Sequence, residues 1–429
     1  MDRRLAQHFN YRGLFMAIIC ILASLSTMAY FPIIELLTVM SISTPSTLYA
    51  YYNYAVFGVS MISSLGMVIA VYKGKISSGA FKGILLIVLV AMIYTIYGLF
   101  YKENNEFFVY FFLWAVPALF VGLFIPSMGN SFINIILEPL VLIMGIASIS
   151  ASRKYISLGI SHLNTLSFGG TNYQGLSYTA ALCVGFELFY VFLAPDDHRL
   201  RFFCSMLGRI IEIAVGIGAV FSVFVSGGRG GLLVLILNIF MFLMFLKIKN
   251  TYSKGANRAI QILLGLMIIV MALILIRQFS GNALVSDSFD RLVSFINRSG
   301  SNSVWNQGRN TIYSDAFHRI SDNPLFGYGI FNTDVLSGEP YPHNIFLETW
   351  INAGFLYMLI WLCILVSLWK YCIRATKIDF NNGWILFLLT YSTVFLNVSG
   401  TYLWCSELWF LIGLMLSMPL MNDAEDSNT

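Results

Sequence analysis

The chain has 429 residues, of which 58% are hydrophobic and 11% charged, with 36 Phe, a mean hydropathy of +0.76 and a formal net charge of +4. A soluble fold of this size has too little polar surface to wrap so much apolar side chain, so composition excludes a soluble enzyme, a secreted disulfide scaffold and a disordered chain. Long apolar runs rather than short alternating segments also exclude a β-barrel and leave a polytopic all-α membrane protein.

A membrane helix needs about 20 apolar residues. In chain order, such runs predict twelve spans at 14–31, 48–72, 83–101, 107–125, 131–150, 175–194, 204–226, 231–248, 259–279, 345–371, 383–398 and 402–420. The first follows a basic N-terminus and reads as an uncleaved anchor. Placing the N-terminus inside puts fifteen Lys and Arg on inner segments and four on the short outer loops: Lys102, Arg153, Lys154 and Arg229. That bias predicts both termini in the cytoplasm. The six Cys lie in or beside apolar runs without paired spacing and read as buried apolar residues.

The chain divides into residues 1–279 (nine spans), 280–344 (one long outer loop) and 345–429 (three spans and a short acidic tail). In the loop, Ser, Asn, Asp, Gly and Arg replace Leu, Ile and Phe, and Arg291, Arg298, Arg309 and Arg319 lie on it with Arg277 at its edge. A loop this long in a compact protein is functional or disordered. Its interspersed aromatics predict an ordered subdomain, and Tyr313, Ala316, Phe317 and Ile320 predict an amphipathic helix over 309–321, placed to lie on the membrane surface.

Three outer segments can carry chemistry. In Ser226–Gly231 (SGGRGG), glycines open the backbone, the next helix offers its N-terminal N–H groups, and Arg229 adds a bidentate donor, which together suit a phosphate. A tight hairpin with a snorkelling arginine is the plainer alternative. Arg309, with Arg291 and the other loop arginines, suits a pyrophosphate or an acidic sugar, or else anionic lipid heads. His343 stands where the loop re-enters the membrane and can take a proton from a hydroxyl near neutral pH. Glu348 follows on the same helix and either orients the imidazole or faces another helix as a packing polar group. Within the spans, Glu138, Glu187, Glu212 and Glu407 form no obvious proton relay, and Glu212 is expected to pair with Arg209 one turn away. No metal site is apparent. Asp287 and Asp290 are the nearest to a carboxylate pair, and their spacing equally suits a capped turn.

Residues 226–232 (SGGRGGL), 309–317 (RNTIYSDAF), 323–329 (NPLFGYG) and 342–354 (PHNIFLETWINAG), in this order, resemble the O-antigen ligase/polymerase superfamily over roughly residues 200–370. One departure is a Ser-Gly-Gly-Arg-Gly where the family has Ser-Arg-Gly. The resemblance implies a metal-independent, lipid-carrier-dependent glycosyltransferase of the bacterial inner membrane, with its active site on the periplasmic face. Its donor would be an undecaprenyl-pyrophosphate-linked glycan. Its acceptor would be a second lipid-linked repeat unit in a Wzy-type polymerase of O-antigen or capsular polysaccharide, or lipid A core in a ligase. On this reading His343 is catalytic, Arg229, Arg309 and Arg291 bind pyrophosphate, and Asn344 and Glu348 support them. No cofactor, metal or nucleic acid is expected; membrane lipids, a chain-length regulator and a flippase are the expected partners. A polysaccharide flippase or transporter is the more distant alternative, and would need polar residues at the bilayer midplane.

Overall fold

The computed structural model describes residues 105–124, 130–157, 173–196, 199–249, 304–332 and 334–417, with isolated positions at 51, 54, 55, 58, 85, 89, 93 and 126. The predicted spans at 14–31, 48–72, 83–101 and 259–279 lie outside these segments, apart from the isolated positions. So do Arg277, Arg291, Arg298, Asp287, Asp290 and the acidic tail.

The described residues form helices and no strand. In chain order these are α1 (Asn105–Tyr110), a π-helical turn (Phe111–Ala115), α2 (Val116–Phe124), α3 (Asn130–Ser157), α4 (Tyr173–Phe192) and α5 (Arg201–Cys204). Then come α6 (Met206–Ser226), α7 (Arg229–Lys249), α8 (Val304–Asp322), α9 (Ile345–Ile378), a 3₁₀ turn (Phe380–Asn382), α10 (Trp384–Val398) and α11 (Ser406–Ser417). Four of them are long and apolar enough to cross a membrane: Tyr173–Phe192, Met206–Ser226, Arg229–Lys247 and Ile345–Ile378. The chain is an integral membrane protein. The predicted spans at 383–398 and 402–420 correspond, among the described residues, to helices Trp384–Val398 and Ser406–Ser417, separated by the non-helical residues 399–405, and 418–420 lie outside the described residues.

Helix α4 is the axis of the bundle. It packs on α3, α6, α7 and α10, while α11 lies along α2. All of α4 from Leu176 to Tyr190 is buried, so this apolar helix has no lipid-facing stripe. By contrast, α9 exposes Leu356, Ile360, Leu362 and Val366 on one side and buries Trp361, Leu365 and Leu368 on the other. Its exposed side includes Cys363, which corrects the expectation that the cysteines are buried.

A second correction concerns the buried charges. Arg209 bonds Asp196 at 2.6 Å, not Glu212. Arg199, from the connection between α4 and α5, inserts between Glu138 of α3 and Glu212 of α6. Its Nε donates to Glu138 at 2.6 Å, and its Nη2 donates to both oxygens of Glu212 at 2.7 and 2.6 Å. The Leu200 N–H donates to the second Glu138 oxygen at 2.9 Å. Glu187 of α4 is buried nearby, with no hydrogen-bond partner for either oxygen. Three carboxylates that looked unrelated along the chain therefore share one arginine's neighbourhood.

The described part of the predicted loop, from residue 304 onward, packs against the start of α9. Helix α8 buries Ala316 and Ile320 against Val335, Leu336 and Ile351, with Ile312, Tyr328, Leu347 and Trp350 around them. Phe317, predicted for the apolar face, is instead 55% exposed. The turn after α8 clasps α9 where that helix breaks. Ala353 has φ −143° and ψ 21°, and Gly354 has φ 83° and ψ −178°, a conformation essentially reserved for glycine. The interrupted backbone groups find partners on residues 324–329. The Tyr328 and Gly329 N–H groups donate to the Ile351 and Asn352 carbonyls at 2.8 and 2.9 Å, and the Phe355 N–H donates to the Pro324 carbonyl at 2.9 Å. The run predicted as a single span at 345–371 is thus a half-helix, a break and a longer helix. The NPLFGYG segment is the piece that makes the break affordable in hydrogen bonds.

Candidate active site

Of the polar side chains singled out in the sequence, Arg309, His343, Asn344 and Glu348 gather at the C-terminal end of α10. The last carbonyls of a helix lack intrahelical donors and carry its partial negative charge, so donors collect there. Arg309, on α8, donates from Nη2 to the Val398 carbonyl. The Ser399 carbonyl lies 3.0 Å from His343 Nδ1 and accepts from the Tyr341 hydroxyl at 3.3 Å. The Tyr178 hydroxyl of α4 donates to Ser399 Oγ at 3.1 Å. Ser399 therefore ties together α4, α10 and the end of the outer loop.

His343 is held in an unusual way. Its φ of 53° is the only positive value at a non-glycine residue among the described residues. Such a conformation at a residue other than Gly persists only where its surroundings enforce it. Here the Tyr341 ring meets the imidazole edge-on at 4.7 Å, and the Ser399 carbonyl holds Nδ1. A carbonyl only accepts, so the neutral ring carries its proton on Nδ1 and its lone pair on Nε2. Nε2 lies 3.8 Å from Glu339 Oε2, and the imidazole remains 21% exposed. Burial pulls the imidazole pKa below the usual histidine range; the nearby Arg309 charge acts the same way, while Glu339 and the Ser399 carbonyl oppose it.

Arg229 opens α7, half-buried. Gly227, at φ 65°, ends α6 in the left-handed region. The other glycines of the motif serve close packing. A Cβ on Gly228 or Gly231 would lie 2.4 or 2.0 Å from Ser177 side-chain atoms, and one on Gly230 would lie 1.8 Å from the Tyr178 hydroxyl oxygen. Ser177 Oγ also donates to the Gly228 carbonyl at 2.9 Å. The glycines press the start of α7 against the start of α4, and the Tyr178 hydroxyl that touches Gly230 is the one that bonds Ser399. The residue after Arg229 thus packs on the tyrosine that bonds the Ser399 side chain, and the Ser399 carbonyl holds His343.

Asn344 is the N-cap of α9: its side-chain oxygen accepts from Phe346 and Leu347 N–H at 3.1 and 3.2 Å, and its amide lies 3.4 Å from Asn397 Oδ1. Glu348 is 2% exposed and accepts from Thr401 Oγ1. The bond ties α9 to the non-helical 399–405 junction. Glu348 also borders a cavity of about 10 Å³ with Asn332, Tyr341 and Asn352, room for one water. Arg291 lies outside the described residues.

Ser399, Tyr341, Tyr178 and Glu339 escaped the sequence reading. Tyr341 and Glu339 stand two and four residues before His343, a local signal. Ser399 and Tyr178 are uncharged and distant in the chain, 221 residues apart, and only the fold unites them.

Residues 214–362 match the family model described as O-antigen ligase. The match supports the O-antigen ligase/polymerase superfamily, and it takes in Arg229, Arg309, His343, Asn344 and Glu348 but ends short of Ser399. No curated protein matches the chain, and no solved structure matches it.

Proposed function

With residues 214–362 as an O-antigen ligase-type segment, we propose that the protein is a polysaccharide polymerase working at the periplasmic face of the bacterial inner membrane. It joins undecaprenyl-pyrophosphate-linked repeat units into O-antigen or capsular polysaccharide. The observation that carries the reading is the contact of His343 Nδ1 with the Ser399 carbonyl at 3.0 Å, an acceptor that assigns the ring proton to Nδ1 and leaves Nε2, in a partly open position, as the base. A hydroxyl of the acceptor sugar gives its proton to Nε2 as its oxygen bonds the anomeric carbon of the donor glycan. The bond from that carbon to the pyrophosphate oxygen breaks, and undecaprenyl pyrophosphate leaves with the electron pair. Arg309, beside the imidazole and steadied by the Val398 carbonyl, and Arg229 at the head of α7 stabilise the growing charge on the leaving pyrophosphate, with Arg291 as a third cation. Asn344 and Glu348 hold the backbone that carries His343. A chain-length regulator and a flippase would act beside it, and neither is required for the bond-forming step itself.

The family model spans ligases and polymerases alike, so the second reading, transfer of the finished glycan to lipid A core, is separated by experiment. One assay separates the readings. Purified full-length protein is given lipid-linked repeat units, with or without lipid A core acceptor, and with neither nucleotide nor ion gradient. A polymerase lengthens the lipid-linked glycan; a ligase acts only with the core acceptor; a transporter does neither. Removing a general base costs about 100- to 10,000-fold, so His343→Ala and His343→Gln should both fall by that much while still binding donor. A Gln variant elongating at the wild-type rate would refute the base.

A further inference from the structure

The carbonyl that meets His343 belongs to the peptide unit just past the end of α10. There the backbone leaves the helix, with Ser399 at φ −148° and ψ −22°. Beyond a helix end a carbonyl points where its neighbours hold it. On one side, the Ser399 and Gly400 N–H groups both donate to the Phe395 carbonyl, at 2.9 and 2.7 Å. On the other, the Ser399 carbonyl meets His343 Nδ1 at 3.0 Å and the Tyr341 hydroxyl at 3.3 Å. The Ser399 side chain is held from α4, by the Tyr178 hydroxyl at 3.1 Å.

Tyr178 is buried and reaches this turn twice. Its ring meets Phe395 edge-on at 5.2 Å, and Phe395 stacks on Tyr391 at 5.8 Å. The Phe395 ring in turn lies on Gly400, where an added Cβ would come within 2.0 Å of it. The second route is the hydroxyl on Ser399 Oγ. To get there the hydroxyl passes the head of α7, and Gly230 leaves it room: a Cβ at that position would stand 1.8 Å from the phenol oxygen. The hydroxyl also lies within the field of Arg309, whose guanidinium bonds the preceding carbonyl, that of Val398. A hydrogen bond inside such a low-dielectric junction holds its partner more firmly than the same bond in water.

We propose that Tyr178 is a positioning residue for His343: its hydroxyl holds Ser399 so that the Ser399 carbonyl meets Nδ1, and α4 thereby selects which imidazole nitrogen is free to accept a proton. The inference rests on the reading of His343 as the base, and deepens it by assigning the choice of tautomer to a tyrosine on another helix. A neutral imidazole has one ring proton, and the bond made by one nitrogen decides what the other can do. With the carbonyl turned away, the proton distributes over both nitrogens and the share of molecules with a bare Nε2 falls. One net hydrogen bond corresponds to roughly 2- to 12-fold in that ratio.

The test reads the tautomer directly and needs no turnover. Full-length protein, isotope-labelled at the histidine nitrogens, is placed in phospholipid nanodiscs and followed by nitrogen NMR at a pH where the imidazole is neutral. The His343 signals are identified by their loss in His343→Gln. Wild type should show a protonated Nδ1 and a bare Nε2. Tyr178→Phe keeps the ring and Ser399→Ala keeps the carbonyl, and each should shift the ratio toward Nε2–H by roughly 2- to 12-fold. The double variant should shift it no further, because both changes remove the same bond. Unchanged ratios in both single variants would overturn the proposal, and so would shifts that add in the double variant. A variant that loses stability in detergent while keeping the wild-type ratio would leave Tyr178 a packing role alone, which also overturns it. A wild-type ring protonated on Nε2 is a different result: it would refute Nε2 as the base, the reading on which the proposal stands.

Discussion

Replacing Arg199 by Met removes the cation that is hydrogen-bonded to both Glu138 and Glu212. The Arg199 side chain is 1% exposed, and those of Glu138 and Glu212 are 0% and 4% exposed. Three charge-assisted contacts disappear together, those of Nε with Glu138 and of Nη2 with both Glu212 oxygens. The Leu200 N–H still serves Glu138, but Glu212 keeps no donor from this group. Breaking one partner out of a buried ion pair costs about 3–5 kcal/mol, or roughly 150- to 5,000-fold in the folding equilibrium. Reversible unfolding in mixed micelles, titrated with a denaturing detergent, reads this directly. Two controls fix the cause. Arg209→Met breaks the Asp196 pair, whose side chains are 39% and 59% exposed, and should cost under about 1 kcal/mol. The triple variant Arg199→Met, Glu138→Gln, Glu212→Gln removes the charges as a set and should recover most of the loss. An Arg199→Met protein within about 1 kcal/mol of wild type would refute the reasoning.

Gly354→Ala should destabilise the protein by roughly 3 kcal/mol, because only glycine holds that backbone conformation; its added Cβ also meets the Leu325 carbonyl. The same detergent titration measures it, and unchanged stability would mean that α9 does not need the break. Glu339→Gln should move the acidic limb of the rate–pH profile to lower pH. Glu339 raises the His343 pKa, so removing its charge lets the imidazole stay neutral at lower pH. A limb that stays in place would show that a different group titrates.

Several spans were legible because their signal is continuous and local. The runs at 175–194, 204–226 and 231–248 correspond to α4, α6 and α7 with ends shifted by a few residues. The segments bearing Arg309 and His343 stood out in the sequence too, as arginines and a histidine against an apolar background, and the fold brings these two to adjacent carbonyls. Pairings across the bundle were not. Glu212 and Arg209 share a helix turn and looked like partners, yet Arg199 reaches Glu212 from outside α6 and a carboxylate from α3 joins them. The glycines at 228, 230 and 231 looked like a ligand cradle, and their immediate use is contact with Ser177 and Tyr178, which adjacency in sequence does not reveal. The break in α9 was hidden because its compensating donors and acceptor lie some 25 residues upstream.

The order in which the chain is made gives the Ser399 junction a further meaning. The clasp joins residues 324–329 to 351–355, so its two sides emerge nearly together. The carbonyls that hold His343 and Arg309 lie 56 and 89 residues further along than those side chains. At roughly 5–20 residues per second, the imidazole exists for on the order of seconds before its acceptor does. Until α10 and α11 insert, no Ser399 carbonyl selects the ring tautomer and no Val398 carbonyl steadies the guanidinium. The turn at 324–329 can clasp α9 while both of these carbonyl acceptors are still unmade, and synthesis of α10 and the residue after it completes the junction.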